Sequence, residues 1–421
     1  METGKLKEII LDQQYAFNKK SGLIERDIEL KKYISSSLVI IISGIRRCGK
    51  SSLLYLIKEK MKLKEEEYLY FNFDDERIIN DVSILDKLYN IHLELYGREP
   101  VLFFDEIQNI SGWEKFINRM FEKNIKIFVT GSNAKLLSSE ISTSLTGRNK
   151  VIELSPFSFK EFLAFSGNKY DLKKLDSMTK NRIKKDFDFY LQKGGFPLVD
   201  KEDDLELINF YFQDILYRDI IARFKLTQTE EIKQIGLYFM SNIGKLFSYS
   251  TLQNISGVKS LSSIKAYLDY YSQTYLFFYL KKFDFSIKKQ ILNPKKVYVI
   301  DQAFATRIGF NFSENKGRIL ENIVFLELKR RNKEIYYHHG KHECDFVVKE
   351  DCKINEAIQV CYFIDQNNES RERGGLLEAM RTYNLEKGII LTYDQEYSFE
   401  IESLPVDVVP VWKWLLRPLT K

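Results

Sequence analysis

The chain has 421 residues, of which 44% are hydrophobic, and its 64 lysines and arginines stand against 59 aspartates and glutamates. This length and composition predict a globular protein of two or three domains and exclude a disordered chain. The net charge of +5 permits a local nucleic-acid-binding face but does not argue for one.

The N-terminal segment METGKLKEII lacks the apolar core of a signal peptide. Every wholly apolar run is far shorter than the roughly 18 to 20 residues that span a bilayer. The four cysteines, Cys48, Cys344, Cys352 and Cys361, are scattered and form no C-x-x-C pair, which predicts reduced thiols. We therefore expect a cytoplasmic protein with no membrane partner.

The first chemical motif lies in IISGIRRCGKSSLLYLI, residues 41–57, between a strand-like and a helix-like segment. It fits the spacing G-x-x-x-x-G-K-[ST] of a loop whose backbone amides surround nucleotide phosphates. Lys50 is expected to reach the β- and γ-phosphates, and Ser51 to place its hydroxyl on Mg²⁺. Whether Arg46 and Arg47 contact phosphate, contact nucleic acid or are structural stays open. The candidate nucleotide-binding residues are Gly44, Ile45, Arg46, Arg47, Cys48, Gly49, Lys50, Ser51 and Ser52.

Three further strand candidates follow, in EYLYFNFDD, PVLFFDEIQN and IKIFVTGSN, separated by segments with helical spacing. This alternation predicts an α/β fold with a parallel sheet that binds its ligand at the carboxyl ends of the strands. Asp105 ends the second of these strands and is a candidate Mg²⁺ ligand. The adjacent Glu106 is the candidate base that polarises water towards the γ-phosphate, because a carboxylate can accept the proton of that water.

Two later positions are candidate catalytic residues. At the end of FVTGSN, either Ser132 or Asn133 could hydrogen-bond the γ-phosphate or the attacking water, and we favour Asn133. Arg148, in the glycine turn LTGR, is either an arginine finger for phosphoryl transfer or a surface arginine.

Five segments together resemble the corresponding parts of the AAA+ ATPases. They are GIRRCGKSS, LFFDEIQN, VTGSN, LTGR and ELSPFSFKEF. The likeness is greatest to a bacterial and archaeal branch that carries a C-terminal domain of unknown function, and it extends weakly into GGFP (194–197) and the C-terminal third. The resemblance implies a five-stranded sheet, ATP as the nucleotide and a sensor role for Asn133. GTP is disfavoured because no N-K-x-D tetrad occurs at the expected place.

Residues 205–305 are rich in aromatic helices. The predicted order is a short helix after Ser248, a turn at Gly257, a longer helix, and then a hairpin formed by KKFDFSIKKQ and KKVYVID. This order predicts a winged helix. Such a domain can bind DNA, here through Ser262, Ser263 and Lys265, or can serve as a packing module, and the sequence leaves both open. The lysine pairs 281–282, 288–289 and 295–296 make the hairpin the most basic local feature.

Residues 306–421 resemble the PD-(D/E)XK nuclease fold, with Glu321 on a helix and Asp345 on a strand. The third strand carries Gln359 and Cys361 where that metal site needs an acid and a lysine, which argues against nuclease activity. His338, His339 and His342 near Cys344 are poor co-ligands, since adjacent residues of a strand point to opposite faces.

The sequence thus predicts a P-loop AAA+ ATPase domain (1–204), a winged-helix-like domain (205–305) and a nuclease-like α/β domain (306–421). The leading hypothesis is an ATP- and Mg²⁺-dependent ATPase associated with DNA. The alternatives are an ATP-gated metal-dependent nuclease and an ATP-binding scaffold for a protein partner. Homo-oligomer formation, and whether Arg148 acts within or between subunits, stay open.

Overall fold

The computed structural model describes residues 3–79, 81–133, 145–173, 175–309 and 316–417. The chain divides into two units, Met1–Ser155 with Gln273–Tyr275, and Pro156–Ser272 with Leu276–Lys421. The predicted domain boundaries after residues 204 and 305 both fall inside the second unit. All four cysteines are free thiols. Within the described ranges, no helix is both long enough and apolar enough to cross a bilayer.

The first unit is built on a five-stranded parallel sheet with helices between its strands. Its helices are α1 (Thr3–Asn18), α2 (Leu30–Ile34), α3 (Lys50–Met61), α4 (Ser83–Tyr96) and α5 (Trp113–Glu122). Its strands are β1 (Val39–Ser43), β2 (Tyr68–Asn72), β3 (Val101–Asp105), β4 (Ile127–Gly131) and β5 (Asn149–Glu153). They lie in the order β2-β3-β4-β1-β5, and every neighbouring pair is parallel. The predicted α/β fold with a parallel P-loop sheet is confirmed.

The burial of β1 explains why this segment is a continuous apolar run. Ile40, Ile41 and Ile42 are all 0% exposed, although successive residues of a strand point to opposite faces. Both faces of the sheet are therefore covered, as in other parallel sheets. Because β4 lies between β1 and β3, the segments that follow Ser43, Asp105 and Gly131 meet at one edge of the sheet.

The second unit begins with helices and a small sheet. The helices are α6 (Phe159–Phe165), α7 (Ser177–Lys193), α8 (Pro197–Glu202), α9 (Glu206–Gln213), α10 (Thr229–Ser241), α11 (Tyr249–Ser256), α12 (Leu261–Gln273), α13 (Ile287–Leu292) and α14 (Gln302–Ile308). A π-helical segment, Asp214–Ala222, continues α9. The strands β6 (Leu246–Phe247), β7 (Phe277–Leu280) and β8 (Lys295–Val299) form an antiparallel sheet in the order β6-β8-β7.

The predicted hairpin is correct in its second strand and wrong in its first. The partner of β8 is β7, which lies in FFYL, at the end of the segment SLSSIKAYLDYYSQTYLFFYL (260–280) that the sequence predicts as the longer helix. The segment KKFDFSIKKQ (281–290) forms no strand and instead leads into α13. The buried residues Phe277 and Leu280 pack into the core, and this tertiary contact overrides a periodicity that is ambiguous in a short apolar run.

The C-terminal part of the second unit contains a six-stranded mixed sheet. Its helices are α15 (Lys316–Arg330), α16 (Glu369–Tyr383) and α17 (Val411–Leu415). Its strands are β9 (Glu334–His339), β10 (Glu343–Glu350), β11 (Lys353–Val360), β12 (Gly388–Thr392), β13 (Tyr397–Ile401) and β14 (Leu404–Pro410), in the order β13-β14-β12-β11-β10-β9. The helix α16 packs closely on β10, since a Cβ at Gly375 would lie 1.9 Å from the carbonyl oxygen of Glu343.

Candidate nucleotide-binding site

The turn between β1 and α3 requires glycine at Gly44 and Gly49. Gly49 has a φ of +101°, in the left-handed region that favours glycine. A Cβ at Gly44 would lie 2.0 Å from the carbonyl oxygen of Leu154, so the backbone there runs directly against the segment that follows β5. Only glycine fits at this close approach.

The helix α3 begins at Lys50, and no side chain caps its N-terminus. The first amides of a helix have no partner within the helix, and the helix dipole makes this end attractive to anions. Ser51 and Ser52 lie in the same first turn and are half-buried. The loop and the start of α3 therefore have the geometry of an anion-binding element, and phosphate binding by them stays a prediction.

Lys50 is buried beneath this loop. It is 4% exposed, and its Nζ lies 3.2 Å from the carbonyl oxygens of both Gly44 and Ile45 and 3.5 Å from Oε1 of Glu106. Burial lowers the pKa of Lys50, but the interactions with Glu106, Cys48 and Asp105 together outweigh burial, and the net pKa is raised. The ammonium group therefore stays charged at neutral pH.

The remaining loop residues are placed by their own contacts. The side chain of Ile45 is fully buried, as is that of Cys48, whose thiol pKa is raised by burial. Arg46 lies 3.9 Å from a carboxylate oxygen of Asp74, and Arg47 is exposed with a φ of 68°. For both arginines, contact with phosphate or nucleic acid and a structural role stay open.

Asp105 ends β3 and is fully buried. The hydroxyl of Tyr70 donates to its Oδ2 at 3.0 Å, the hydroxyl of Thr130 donates to its Oδ1, and the side chain of Ser51 lies near enough to lower its pKa. Burial raises the pKa of Asp105, and the charge of Glu106 raises it further. The structure thus joins the two oxygen donors, Ser51 and Asp105, that the sequence assigns to Mg²⁺, and oxygen donors suit that ion.

Glu106 has a left-handed backbone conformation, with a φ of 53°, which is uncommon for a residue with a side chain. Its amide donates to Oγ1 of Thr130 at 2.9 Å, and its carboxylate accepts a hydrogen bond from the amide group of Gln108. Burial raises the pKa of Glu106, but the positive charges of Lys50 and Arg46 and the hydrogen bond from Gln108 together outweigh burial, and the net pKa is lowered. Glu106 is therefore an ionised carboxylate at neutral pH.

Ser132 and Asn133 follow β4 and are both buried. Oγ of Ser132 accepts a hydrogen bond from Nε2 of Gln108 at 3.4 Å, and the same amide group contacts Glu106. The segment after β4 is thereby linked to the candidate base. Asn133 lies next to this link at the same edge of the sheet, as its predicted sensor role requires.

Arg148 does not lie at this edge. Strand β5 runs parallel to β1, with Asn149 opposite Val39 and Glu153 opposite Ser43, and the carbonyl oxygen of Arg148 accepts from the amide of Val39 at 3.0 Å. At about 3.3 Å per residue, the start of β5, where Arg148 lies, is roughly 13 Å from the end of β5. The guanidinium contacts Asn118 and lies 3.1 Å from Glu122 of α5. The structure therefore does not bring Arg148 to the loop of its own chain.

We expect Arg148→Ala to leave ATP affinity unchanged and, if Arg148 is an arginine finger, to slow ATP turnover by a factor that grows with protein concentration. The placement of Arg148 allows this role only between subunits. The measurement is turnover per folded molecule over a range of protein concentrations, with Glu122→Gln as the control that removes the partner and keeps the arginine. A lower melting temperature with unchanged turnover would identify a surface residue with a structural role.

Several residues of the site were not predicted from the sequence. Tyr70, Thr130 and Gln108 hold the acid pair, and Arg26 donates to the carbonyl oxygens of Cys48 at 3.2 Å and of Ser155 at 2.7 Å. Gln108 could have been predicted to lie near Glu106, since it follows Glu106 by two residues in FFDEIQN. The others are distant in sequence from their partners and carry no local pattern.

The second unit holds the residues that resemble a nuclease site. Glu321, Asp345, Gln359 and Cys361 line one cleft of about 970 Å³. Gln359 donates to Oε2 of Glu372 at 2.7 Å and accepts from the amide of Asp345 at 3.2 Å, so that both ends of its side-chain amide are engaged. Burial raises the pKa of the Cys361 thiol, which keeps it neutral.

Lys296 is the residue of this cleft that the sequence reasoning missed. The sequence shows Lys296 only as one member of a basic pair, but Lys296 is 1% exposed and contacts Glu321 and Asp345. Its partners lie 25 and 49 residues away, and only the tertiary structure reveals the contact.

Of the three histidines, His342 lines the same cleft, whereas His338 and His339 do not line it. Nδ1 of His338 is 3.0 Å from the hydroxyl of Tyr383, and its Nε2 is 3.4 Å from Glu378, whereas His339 is exposed. In the part of the chain that the structure describes, no group of three or more His, Cys, Asp or Glu side chains is arranged to hold a metal ion.

The sheet order, the glycine loop, the buried Lys50 and Asp105, and the half-buried Glu106 together define a P-loop domain. Residues 36–163 match the family described as "AAA domain", which supports nucleotide binding and hydrolysis. Residues 184–314 match "Domain of unknown function (DUF8612)".

The chain belongs to the family of the uncharacterized protein MJ1544 of Methanocaldococcus jannaschii. The two are 36% identical, over 97% of this chain and 94% of that protein. An uncharacterized protein of Haemophilus influenzae is 30% identical, over 94% of this chain and 99% of its own length.

Among solved structures, the Holliday junction branch migration motor RuvB of Thermotoga maritima is 15% identical, covering 65% of this chain and 87% of that one, with a TM-score of 0.28. AMPPCP-bound DnaA from Aquifex aeolicus is 14% identical, covering 57% and 84%, with a TM-score of 0.25. These likenesses are too low to carry a functional inference.

Proposed function

We propose that the protein is an ATPase that couples its nucleotide state to the action of residues 205–421 on DNA. The observation that carries the ATPase assignment is the junction of the loop with the acid pair. Lys50 lies 3.5 Å from Glu106, and the side chain of Ser51 lies near enough to Asp105 to lower its pKa. Lys50 and Ser51 stand at the start of α3, whereas Asp105 ends β3 and Glu106 follows it. Lys50 is charged and Glu106 is ionised at neutral pH, as their proposed roles need.

Lys50 and the amides of the loop bind the phosphates, and the uncapped start of α3 faces the same anion. Glu106 accepts the proton of the attacking water, because its lowered pKa keeps it ionised at neutral pH. Asn133 orients the water or the γ-phosphate. Ser51 and Asp105 would hold Mg²⁺, which when bound neutralises charge on the β- and γ-phosphates.

The proposed DNA contact rests on the start of α12. The order α10, β6, α11, α12, β7, β8 and the sheet order β6-β8-β7 support a winged helix, with Gly257 at a φ of 71° ending α11. Ser262 and Lys265 are exposed there. The ammonium groups of Lys265 and Lys295 each lie 5.5 Å from the ring of Tyr249, which gathers two cations at one place. Such a cluster suits the phosphate backbone of DNA.

The test is ATP turnover and DNA binding, each measured with and without duplex DNA at several salt concentrations. We expect DNA to stimulate turnover and Lys265→Glu to remove both the stimulation and the salt-dependent binding. Lys353→Glu, which changes an exposed lysine of the C-terminal sheet, should change neither. Full turnover without DNA, and no binding to it, would contradict the DNA proposal and favour a protein partner.

We also expect no metal-dependent nuclease activity. The side-chain amide of Gln359 is engaged at both ends, and the ammonium group of Lys296 contacts the oxygens of Glu321 and Asp345 that a metal ion would need. The measurement is cleavage of single- and double-stranded DNA and of RNA with Mg²⁺ or Mn²⁺. Cleavage that persists in Lys50→Ala and disappears in Asp345→Ala would instead show an active nuclease.

A further inference from the structure

Lys296 lies at the centre of three carboxylates in the cleft of the second unit. Its Nζ is 2.9 Å from Oε1 of Glu321, 2.7 Å from Oε1 of Glu343 and 2.8 Å from Oδ1 of Asp345. Burial lowers the pKa of a lysine, but Asp345 and Glu321 outweigh burial and raise the pKa of Lys296 well above its ordinary value. The side chain is therefore a fixed cation.

One strand, β8, supplies this cation and a second contact to the same acid. Tyr298 lies two residues after Lys296 and thus on the same face of β8, and its hydroxyl donates to Oε1 of Glu321 at 2.6 Å. The ring of Tyr298 stacks on Phe325 of α15 with a centroid distance of 4.1 Å. The position of Lys296 is therefore set by strand pairing and aromatic packing as well as by charge.

The acids are held by contacts that do not involve Lys296. Oδ2 of Asp345 accepts from the amide of Val360 at 3.0 Å, and the amide of Asp345 donates to Gln359. Glu343 and Asp345 are two residues apart in β10 and share one face. The oxygen cluster is thus built into the sheet and the helix around it.

The three carboxylates outnumber the one ammonium group that lies between them. Burial, with the charge of Asp345, raises the pKa of Glu321 to about 7, so part of this negative charge is lost at neutral pH. Arg318 and Arg371 also line the cleft, and Arg318 interacts electrostatically with Glu321 and Glu343, as Arg371 does with Asp345. The likeness to a metal site therefore rests on the placement of the three carboxylate oxygens around Nζ of Lys296.

We propose that Lys296 is an intramolecular cation in the place of a divalent metal ion, so that Glu321, Glu343 and Asp345 bind Mg²⁺ or Mn²⁺ only when its ammonium group is removed. The ammonium group and a metal ion exclude each other, because a metal needs the same oxygens at about 2.0–2.6 Å and carries the same sign of charge. This inference concerns the second unit and does not depend on the proposed ATPase activity.

The experiment is calorimetric titration of the full chain with Mn²⁺ in the absence of nucleotide. We expect Lys296→Met to bind one more Mn²⁺ than the parent, with affinity at least about tenfold above any parental binding, and Lys296→Met/Asp345→Asn to lose that site. Both variants keep the P-loop, so any Mn²⁺ bound by Ser51 and Asp105 is the same in Lys296→Met and in Lys296→Met/Asp345→Asn. Mn²⁺ should also raise the melting temperature of Lys296→Met alone.

Equal Mn²⁺ binding by the parent and by Lys296→Met would overturn the proposal, as would a folded Lys296→Met that binds no additional ion. Loss of Lys296 leaves buried carboxylates without their cation and could prevent folding. The second test then compares Glu321→Gln with the double variant Lys296→Met/Glu321→Gln. The double variant removes one acid together with the cation, so fewer buried carboxylates are left without a partner. Mn²⁺ must bind the double variant more tightly than the single one, and equal binding would refute the proposal.

Discussion

Lys50→Ala is expected to abolish ATP binding, with a loss of affinity of roughly 100-fold or more. The substitution removes the one side-chain cation that the motif places on the phosphates, and a hydrogen bond to a charged group contributes about 1.5–3 kcal/mol. Calorimetric titration with ATP is the measurement. An unchanged affinity would show that this loop is not the nucleotide site.

The control for this variant is Lys60→Ala, in the same helix. Lys60 has a side chain that is 37% exposed and lies 3.5 Å from Glu25, away from the loop. Because Lys50 is buried beside Glu106, the melting temperature of both variants must be recorded. A loss of ATP binding counts only for protein that remains folded.

Glu106→Gln is expected to bind ATP like the parent and to lose turnover by roughly 100- to 10,000-fold, the range typical of a general base. The amide keeps the shape of the side chain and can still accept the hydrogen bond from Gln108, but it cannot take a proton from water. The variant also removes the negative charge beside Lys50, so ATP affinity should not fall. Single-turnover phosphate release and ATP titration measure the two effects separately.

Glu76→Gln, an exposed carboxyl that follows β2, is the matched control and should keep the parental rate. The pKa of Glu106 lies below its ordinary value of 4.5, so the parental rate should not decline through loss of this base as the pH falls from 8 towards about 5. Parental turnover in Glu106→Gln would place the base elsewhere.

Much of the first unit was predictable because its signals are local. The loop from Gly44 to Ser51 carries its chemistry in consecutive residues, and the strands β1 to β4 are short apolar runs between helical segments. Asp105 and Glu106 follow such a run directly. Their meeting with Lys50 could be expected because the carboxyl ends of parallel strands lie at one edge of a sheet.

Other features could not be predicted from the sequence because they depend on contacts between residues that are distant in the chain. The segment FFYL reads as the end of a helix in sequence, and its strand form depends on pairing with β8. Arg148 lies beside the predicted motifs in sequence but at the opposite edge of the sheet, because a strand separates it from that edge. The hydrogen bonds of Tyr70 and Thr130 to Asp105 span 35 and 25 residues.

By itself, the sequence determined the α/β class, the phosphate-binding loop and the acid pair, since each depends on neighbouring residues and on the period of a strand or a helix. Only the tertiary structure decided which charges meet. It placed Arg148 away from the loop and put Lys296 among Glu321, Glu343 and Asp345. The reason is that an ion pair forms where strand order and helix packing bring side chains within about 3 Å, and no local pattern encodes that distance.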